Sequence, residues 1–119
     1  MKALSVKQPW ASLIAMGQKT LEIRSWRTTR RGPIAIVSSV GRSRIQPLVR
    51  IPRHAPTGVL LALVELVDCV PFKPSMVREA CVDWIPDHWA WRIHVIKQSV
   101  PVPLKGRLGF WDLPEEVKL

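Results

Sequence analysis

The apolar and polar positions of the first residues predict a strand followed by a short helix. Residues 2–6, KALSV, form an apolar run of strand length. Pro9 suits the first turn of a helix, because its missing N–H has no helical acceptor there. Three apolar residues then share the spacing of one helical face: Trp10, Leu13 and Ile14. Gly17, which accepts left-handed backbone angles, is predicted to end this helix.

Residues 19–26, KTLEIRSW, alternate with a period of two, which predicts a second strand. Lys19, Leu21 and Ile23 are expected to share one face, with Leu21 and Ile23 in the core. Lys19, shortly after Gly17, is expected at the mouth of a cleft. Glu22 and Arg24 are expected to share the opposite face, two residues apart, where their side chains can pair.

Four later segments predict further strands: 34–39, 58–69, 89–98 and 108–113. The second of these, GVLLALVELVDC, is apolar on both faces, as in a strand that is covered on both sides. In the third, four side chains are expected to point inward: Trp89, Trp91, Ile93 and Val95.

The longer connections are rich in proline. Residues 40–57 contain three prolines, so we predict a loop with one helical turn at 46–50. Residues 70–88 also contain three prolines, and we predict a short helix over 75–81 with Ser75 as its cap.

These elements define the fold class. Residues 1–119 are predicted to form a single α+β domain, since this length suits one hydrophobic core. About six strands with few helices favour a mixed β-barrel over a parallel sheet. One short helix follows the first strand, and other short helices lie at the barrel ends.

The charge of the chain points to a polyanionic partner. The sequence has 18 Lys and Arg residues against 9 Asp and Glu residues, a net charge of +9. No acidic residue occurs from 23 to 64, and this segment contains no lysine but eight arginines: Arg24, Arg27, Arg30, Arg31, Arg42, Arg44, Arg50 and Arg53. A guanidinium pairs with phosphate through two hydrogen bonds. The bias therefore favours nucleic acid over a basic surface that serves only solubility.

The distribution of apolar and basic residues argues against membrane binding. No basic amphipathic helix occurs, and no segment approaches the ~20 apolar residues of a membrane span. The first residues lack the apolar run of a secretory signal. We therefore expect a soluble, cytoplasmic protein.

The residues that commonly bind metals do not have metal-ligand spacing. Cys69, Cys81, His54, His88 and His94 form no CxxC or HxxxH pair. We predict no metal site and no cofactor, and we expect both cysteines to be small core residues.

Lys19, Glu22 and Arg24 are the strongest candidates for a functional site. They lie within six residues, with Trp10 and Trp26 on either side. A carboxylate fixed beside cations can accept from a base amine and donate to a phosphate or carbonyl. A solvated strand face with one surface ion pair explains the same pattern equally well.

Glu65 is a second unusual residue. By alternation it lies with Leu61, Leu63 and Val67, and a carboxylate on an apolar face needs a partner. A functional carboxylate and a structural partner for an arginine are both consistent with its position.

Taken together, the chain resembles the ASCH domain family of the PUA-like superfamily. The resemblance rests on four blocks in order: SVKQPWASLIAMGQKTLEIRSW, RGPIAIVSS, GVLLALVELVDC and WAWRIHVIKQSVPVPLKGRLGFWDLP. The family shows QPWA, G-x-K-T and E-x-R-S-W in the first block and P-x-x-G-x-x-G-x-W in the last. The resemblance implies a PUA-like β-barrel with a cleft between barrel and helix, which is proposed to bind RNA or a nucleobase.

The resemblance implies that the G-x-K-T-x-E-x-R segment lines the cleft. Lys19, Glu22 and Arg24 carry over directly, with Gln8 and Trp10 beside them. The nucleic-acid hypothesis adds residues for base stacking and phosphate contact: Trp26, Arg27, Arg30, Arg31, Arg42 and Arg44.

An enzymatic role is the alternative. Some small ASCH proteins are amidohydrolases that act on N4-acetylcytidine with a Lys, a Thr three residues later and a strand Glu. Here Glu22 stands at the Thr spacing from Lys19, and Glu65 is the candidate strand Glu; these three are the candidate catalytic residues. Ribonuclease activity and a protein-interaction role also stay open.

Overall fold

The computed structural model describes residues 1–119 and contains six strands and a few short helices. In chain order the elements are β1 (Lys2–Gln8), α1 (Trp10–Ala15), β2 (Leu21–Arg24), β3 (Gly32–Arg42), β4 (Val59–Pro71), a 3₁₀ turn (Pro74–Met76), α2 (Val77–Ala80), β5 (Trp89–Pro103) and β6 (Phe110–Asp112). No helix has the length and hydropathy needed to cross a bilayer.

All six strands belong to one mixed sheet with the order β2-β5-β4-β3-β1-β6. The β1–β3 pair is parallel, and the other four pairs are antiparallel. The two edge strands, β2 and β6, do not pair with each other, so the barrel is open. The predicted six-stranded α+β fold with short helices is confirmed.

The two strands of the parallel pair are covered on both faces. Leu4 and Ile36 pack beneath α1 in the largest apolar cluster. On the opposite face Ala3 and Val37 pack against Trp111 of β6. Successive residues of a strand point to opposite faces, so covering both faces explains their apolar composition.

A third apolar cluster covers the edge of the sheet near β2. Leu21 of β2 and Ala90 of β5 pack against Phe72, Ala80 and Val82. The last three residues belong to the segment that follows β4 and contains α2. This segment therefore closes one side of β2.

The predicted helical turn at 46–50 is wrong. This segment has no helical residues, and its backbone bonds to distant parts of the chain. Leu48 N donates to Cys81 O at 2.9 Å, and just before the segment Ser43 N donates to Gln8 O at 2.7 Å. These long-range bonds replace the local bonds that a helical turn requires.

Two smaller predictions also need correction. Ser75 caps no helix: it lies inside the 3₁₀ turn, and α2 begins after Met76 without a side-chain cap. Val95 was expected inward but is 37% exposed. The β4–β5 pairing shifts register opposite Val95, between Leu63 and Val64, which breaks the strict alternation of faces.

The buried position of Ile36 leads to a stability prediction. Ile36→Ala should lower the free energy of unfolding by roughly 2–5 kcal/mol, because it leaves a cavity between β3 and its neighbours. Ile96→Ala makes the same change at a side chain that is 54% exposed and should cost far less. Urea unfolding of both variants tests this, and equal losses would contradict the assignment of the core.

Candidate nucleic-acid interface

The segment between α1 and β2 folds back on the helix. The backbone N–H groups of Gln18 and Lys19 both donate to Leu13 O at 3.0 Å. Gly17 has a φ of +77°, which confirms its predicted role at the helix end. Strand β2 begins only at Leu21, so the alternation of faces does not extend back to Lys19.

This turn brings Lys19 and Glu22 together, although alternation placed them on opposite faces. Lys19 Nζ lies 4.0 Å from Glu22 Oε1. Lys19 was also expected at the mouth of the cleft, but its side chain is only 2% exposed. Its ammonium group donates to Ala80 O and lies 4.9 Å from the centre of the Trp10 ring. Lys19 is therefore an internal residue of the site.

Burial changes the proton affinity of Lys19. Removal from water lowers the pKa of the Lys19 amine, and the Glu22 carboxylate opposes that shift only in part. Burial raises the pKa of the neighbouring Cys81 thiol, against the pull of the Lys19 charge. Cys81 and Cys69 are both free and buried, as predicted.

Glu22 and Arg24 form the predicted pair on β2. Arg24 Nε donates to Glu22 Oε2 at 2.9 Å, and Arg24 Nη2 donates to Ser5 O at 2.7 Å. Glu22 is only 5% exposed, so the pair is not the solvated surface pair of the alternative interpretation. Glu22 Oε1 accepts no hydrogen bond from the protein, yet it is not sealed from solvent.

Two adjoining cavities expose this group of residues. The larger one, here called the main cleft, has a volume of about 340 Å³ and is lined by Ser5, Lys7, Trp10, Glu22, Ile23, Arg24, Ser39, Gly41, Leu108 and Gly109. The smaller one, the inner cavity, has a volume of about 70 Å³ and is lined by Trp10, Lys19, Glu22, Ile23, Ile45, Val82 and Ile85. The two share Trp10, Glu22 and Ile23, so Lys19 opens onto the main cleft through the inner cavity.

The structure does not bring Gln8 into either cavity. Gln8 is fully buried, and its amide is used inside the protein. Gln8 Nε2 donates to Ser12 Oγ and to Pro56 O, both at 2.7 Å, and Gln8 Oε1 accepts from Ser12 N at 2.9 Å. Gln8 therefore anchors α1 and the 43–57 loop.

Trp26 and Glu65 also lie outside both cavities. Trp26 is 38% exposed and packs edge-on against Trp91, with ring centres 4.6 Å apart. Glu65 stands opposite Pro33 and His94 in the sheet, and its Oε2 is buried without a partner. No ion pair or hydrogen bond joins Glu65 to Lys19 or Glu22, so the structure leaves it out of the candidate catalytic group.

Of the other predicted arginines, Arg30 and Arg42 lie next to residues of the main cleft. Arg30 stacks over Phe110, next to the cleft residue Gly109, and Arg27 stacks over Trp89. Arg42 follows the cleft residue Gly41 and donates to Ala55 O, while Arg44 is exposed without a partner. Arg31 is turned toward its own backbone and Asp68, with 3.7 Å between Arg31 Nη2 and Asp68 Oδ1.

Several residues of the site were not found from the sequence. Ser5 and Lys7 alternate on β1, and this spacing could have placed them on one face. Ile23 was assigned to the core but forms a wall of both cavities. The Ala80 carbonyl that accepts from Lys19 comes from 61 residues along the chain, and no sequence pattern signals it.

Comparison with known proteins identifies the class. The family model of the ASCH domain matches residues 4–100, and the chain belongs to this family. The crystal structure of ASCH from Zymomonas mobilis superposes with a TM-score of 0.64 at 15% identity, covering 97% of this chain and 88% of that one. Two point mutants of that protein superpose with TM-scores of 0.61. These superpositions establish the shared fold.

The sequence is similar to activating signal cointegrator 1. The human and mouse proteins are each 31% identical to this chain over 132 aligned residues. The alignment covers 96% of this chain but 22% of each relative, so the similarity concerns one domain of longer proteins.

The lowered pKa of Lys19 predicts that stability rises with pH. The unfolded chain keeps the Lys19 proton up to its ordinary pKa of 10.5, whereas the buried amine releases it earlier. Between these two pKa values the unfolded state binds more protons, so raising the pH increases the free energy of unfolding. Lys19→Met should remove this rise in urea unfolding between neutral pH and about 10.

Cys81 must be removed for this test. Its raised pKa acts with the opposite sign, because the unfolded thiol releases its proton first. Both proteins should therefore carry Cys81→Ala, with Lys97→Met as a control at an exposed lysine. A Lys19→Met protein that keeps the same rise with pH would contradict the prediction.

Proposed function

We propose that this ASCH domain binds single-stranded RNA and takes one unpaired base into the main cleft. The observation that carries the proposal is the pair of Glu22 and Arg24 at that cleft. Glu22 Oε1 is an acceptor without a protein donor, and Arg24 has N–H groups beyond the two that it uses internally. An acceptor beside donors matches the hydrogen-bonding edge of a base.

The walls of the main cleft support the same ligand. Trp10 and Ile23 are half-buried and line both cavities, next to the polar pair. Stacking of a base on an aromatic ring stabilises binding by roughly 1–3 kcal/mol. The volume of about 340 Å³ lies within the range of pockets for small ligands.

The charge around the cleft supports a polynucleotide over a free base. Arg30 stacks over Phe110, next to the cleft residue Gly109, and Arg42 and Arg44 follow the cleft residue Gly41. Arginines near the cleft attract the phosphate backbone of a strand whose base occupies it. Binding should therefore weaken with salt, by a slope of about 0.7 for each phosphate contact in a single strand.

Titration with short single-stranded RNA at two salt concentrations tests this function. The wild-type protein should bind with quenching of tryptophan fluorescence, because Trp10 lines the cleft. Glu22→Gln and Arg24→Ala should each weaken binding about tenfold, the loss expected for one specific base contact. Glu79→Gln breaks an exposed ion pair with Arg92, at a residue that lines neither cavity, and should leave binding unchanged.

Three results would count against the function. The first is the absence of binding at low salt. The second is binding that does not depend on salt. The third is an equal effect of Glu22→Gln and Glu79→Gln, in which case the cleft does not contact the base. Melting temperatures of all variants separate lost binding from lost folding.

The buried Lys19 supports a second candidate function, hydrolysis of an acylated nucleoside. Burial lowers the pKa of the Lys19 amine, which makes it a better general base than an ordinary lysine, and Glu22 Oε1 lies 4.0 Å from it. The inner cavity of about 70 Å³ leaves room at Lys19 only for a small group of a ligand. Glu65 takes no part in this version, because the structure does not connect it to Lys19.

This second function predicts a product. Incubation of N4-acetylcytidine with the wild-type protein should release cytidine and acetate, separated by chromatography, and Lys19→Met should abolish the release. Cys69→Ala serves as a control at a buried residue outside both cavities. No product at high protein concentration would remove this candidate and leave the binding function.

A further inference from the structure

A third cavity adjoins the main cleft and shares no residue with the inner cavity. This outer cavity has a volume of about 300 Å³ and is lined by Ser5, Ser38, Ser39, Val40, Gly58, Lys105, Gly106, Arg107 and Leu108. It shares Ser5, Ser39 and Leu108 with the main cleft. The main cleft therefore shares wall residues with the inner cavity and with the outer cavity.

The chemistry of the outer cavity differs from that of the main cleft. Its lining contains no acidic residue but has two cations, Lys105 and Arg107, and the hydroxyls of three serines. The backbone N–H groups of residues 105–107 donate to no acceptor in the chain. Ser38 Oγ and Ser39 Oγ donate to Val59 O and Gly41 O, so the free donors are the two cations, the Ser5 hydroxyl and the backbone amides. Cations, a hydroxyl and free amides are donors that proteins use for phosphate.

Close packing fixes this turn against β1. A Cβ atom at Gly106 would lie 2.7 Å from Ser5 Oγ, so only glycine allows the turn to approach this closely. Ser5 Oγ accepts a hydrogen bond from Trp111 Nε1 at 3.0 Å, which leaves its own proton free to donate. The same residue holds Arg24 of the main cleft through its backbone oxygen. Ser5 is thus the wall that the two cavities share.

We propose that the turn formed by Lys105, Gly106 and Arg107 is a phosphate subsite for the nucleotide next to the base in the main cleft. This proposal rests on the proposed RNA-binding function and makes the ligand at least two nucleotides long. Leu108, which is 97% exposed and lines both cavities, offers an apolar contact to the sugar or base between them.

The test compares ligands with and without phosphate. The probes are the four ribonucleosides and the four trinucleotides of a single base, with binding followed by NMR chemical shifts. The double variant K105A/R107A should weaken trinucleotide binding about tenfold at low salt and reduce the salt slope by about 0.7, which corresponds to the loss of one phosphate contact. Its nucleoside binding should equal that of the wild type. The matched control is K97A/K118A, which removes two exposed lysines outside the three cavities.

A second variant changes the position of the 105–107 turn and keeps both of its cations. Gly106→Ala should displace the turn from Ser5 and weaken trinucleotide binding at least threefold at unchanged net charge. This variant distinguishes a built phosphate site from general attraction to a basic surface.

The outcomes separate this subsite from the proposed function. Equal losses in K105A/R107A and K97A/K118A, or a loss of nucleoside binding in K105A/R107A, would overturn the subsite. Trinucleotide binding that depends on K105A/R107A but not on Glu22→Gln would support the phosphate subsite and overturn the base cleft. A wild-type protein that binds none of the eight probes would overturn both.

Discussion

The Glu22 carboxylate lies between two cations, and these three charges hold the cleft together. Arg24 contacts one carboxylate oxygen, and Lys19 lies 4.0 Å from the other. Burying a charge is costly unless a partner and hydrogen bonds compensate it. Each cation also donates to a carbonyl outside β2, Lys19 to Ala80 and Arg24 to Ser5. The charged group therefore joins β2 to the α2 segment on one side and to β1 on the other.

The open sheet explains why this group stays accessible. Strands β1 and β3 are covered on both faces, but β2 is an edge strand that pairs only with β5. The α2 segment covers one side of β2 and leaves the side of Glu22 and Arg24 at the main cleft. A closed barrel would have paired the free edges of β2 and β6, whereas the open one leaves cleft residues on both β2 and the approach to β6.

The arginines of the acid-free segment have two kinds of partner in the structure, carboxylates and aromatic rings. Arg24 pairs with Glu22, Arg31 lies near Asp68, and Arg27 and Arg30 stack on aromatic rings. Stacked guanidinium groups keep their charge and most of their donors, so these arginines remain able to meet phosphate. The acid-free segment therefore carries part of its positive charge on guanidinium groups that are held by carboxylates and aromatic rings.

The amino-acid sequence alone determined the class and most of the framework. Six strands, the short helix ended by Gly17 and the pairing of Glu22 with Arg24 follow from periodicity and turn chemistry, which act between near neighbours. The resemblance of four sequence blocks to the ASCH family also indicated which segment lines the cleft. The position of Lys19 was predicted incorrectly, because the turn after α1 interrupts the alternation that was extended back to it.

Only the tertiary structure decided which residues share the site. Ala80 accepts from Lys19 across 61 residues, and the basic turn at 105–107 meets Ser5 across about a hundred. Gln8 and Glu65 show the converse, since both looked functional and neither lines a cavity. Local patterns specify which face of an element is apolar, but contacts between elements depend on how sheet register and loop packing place distant segments. The sequence therefore determined the domain and its charge, and the packing of α2 and the 105–107 turn against β1 and β2 decided the shape of the cleft.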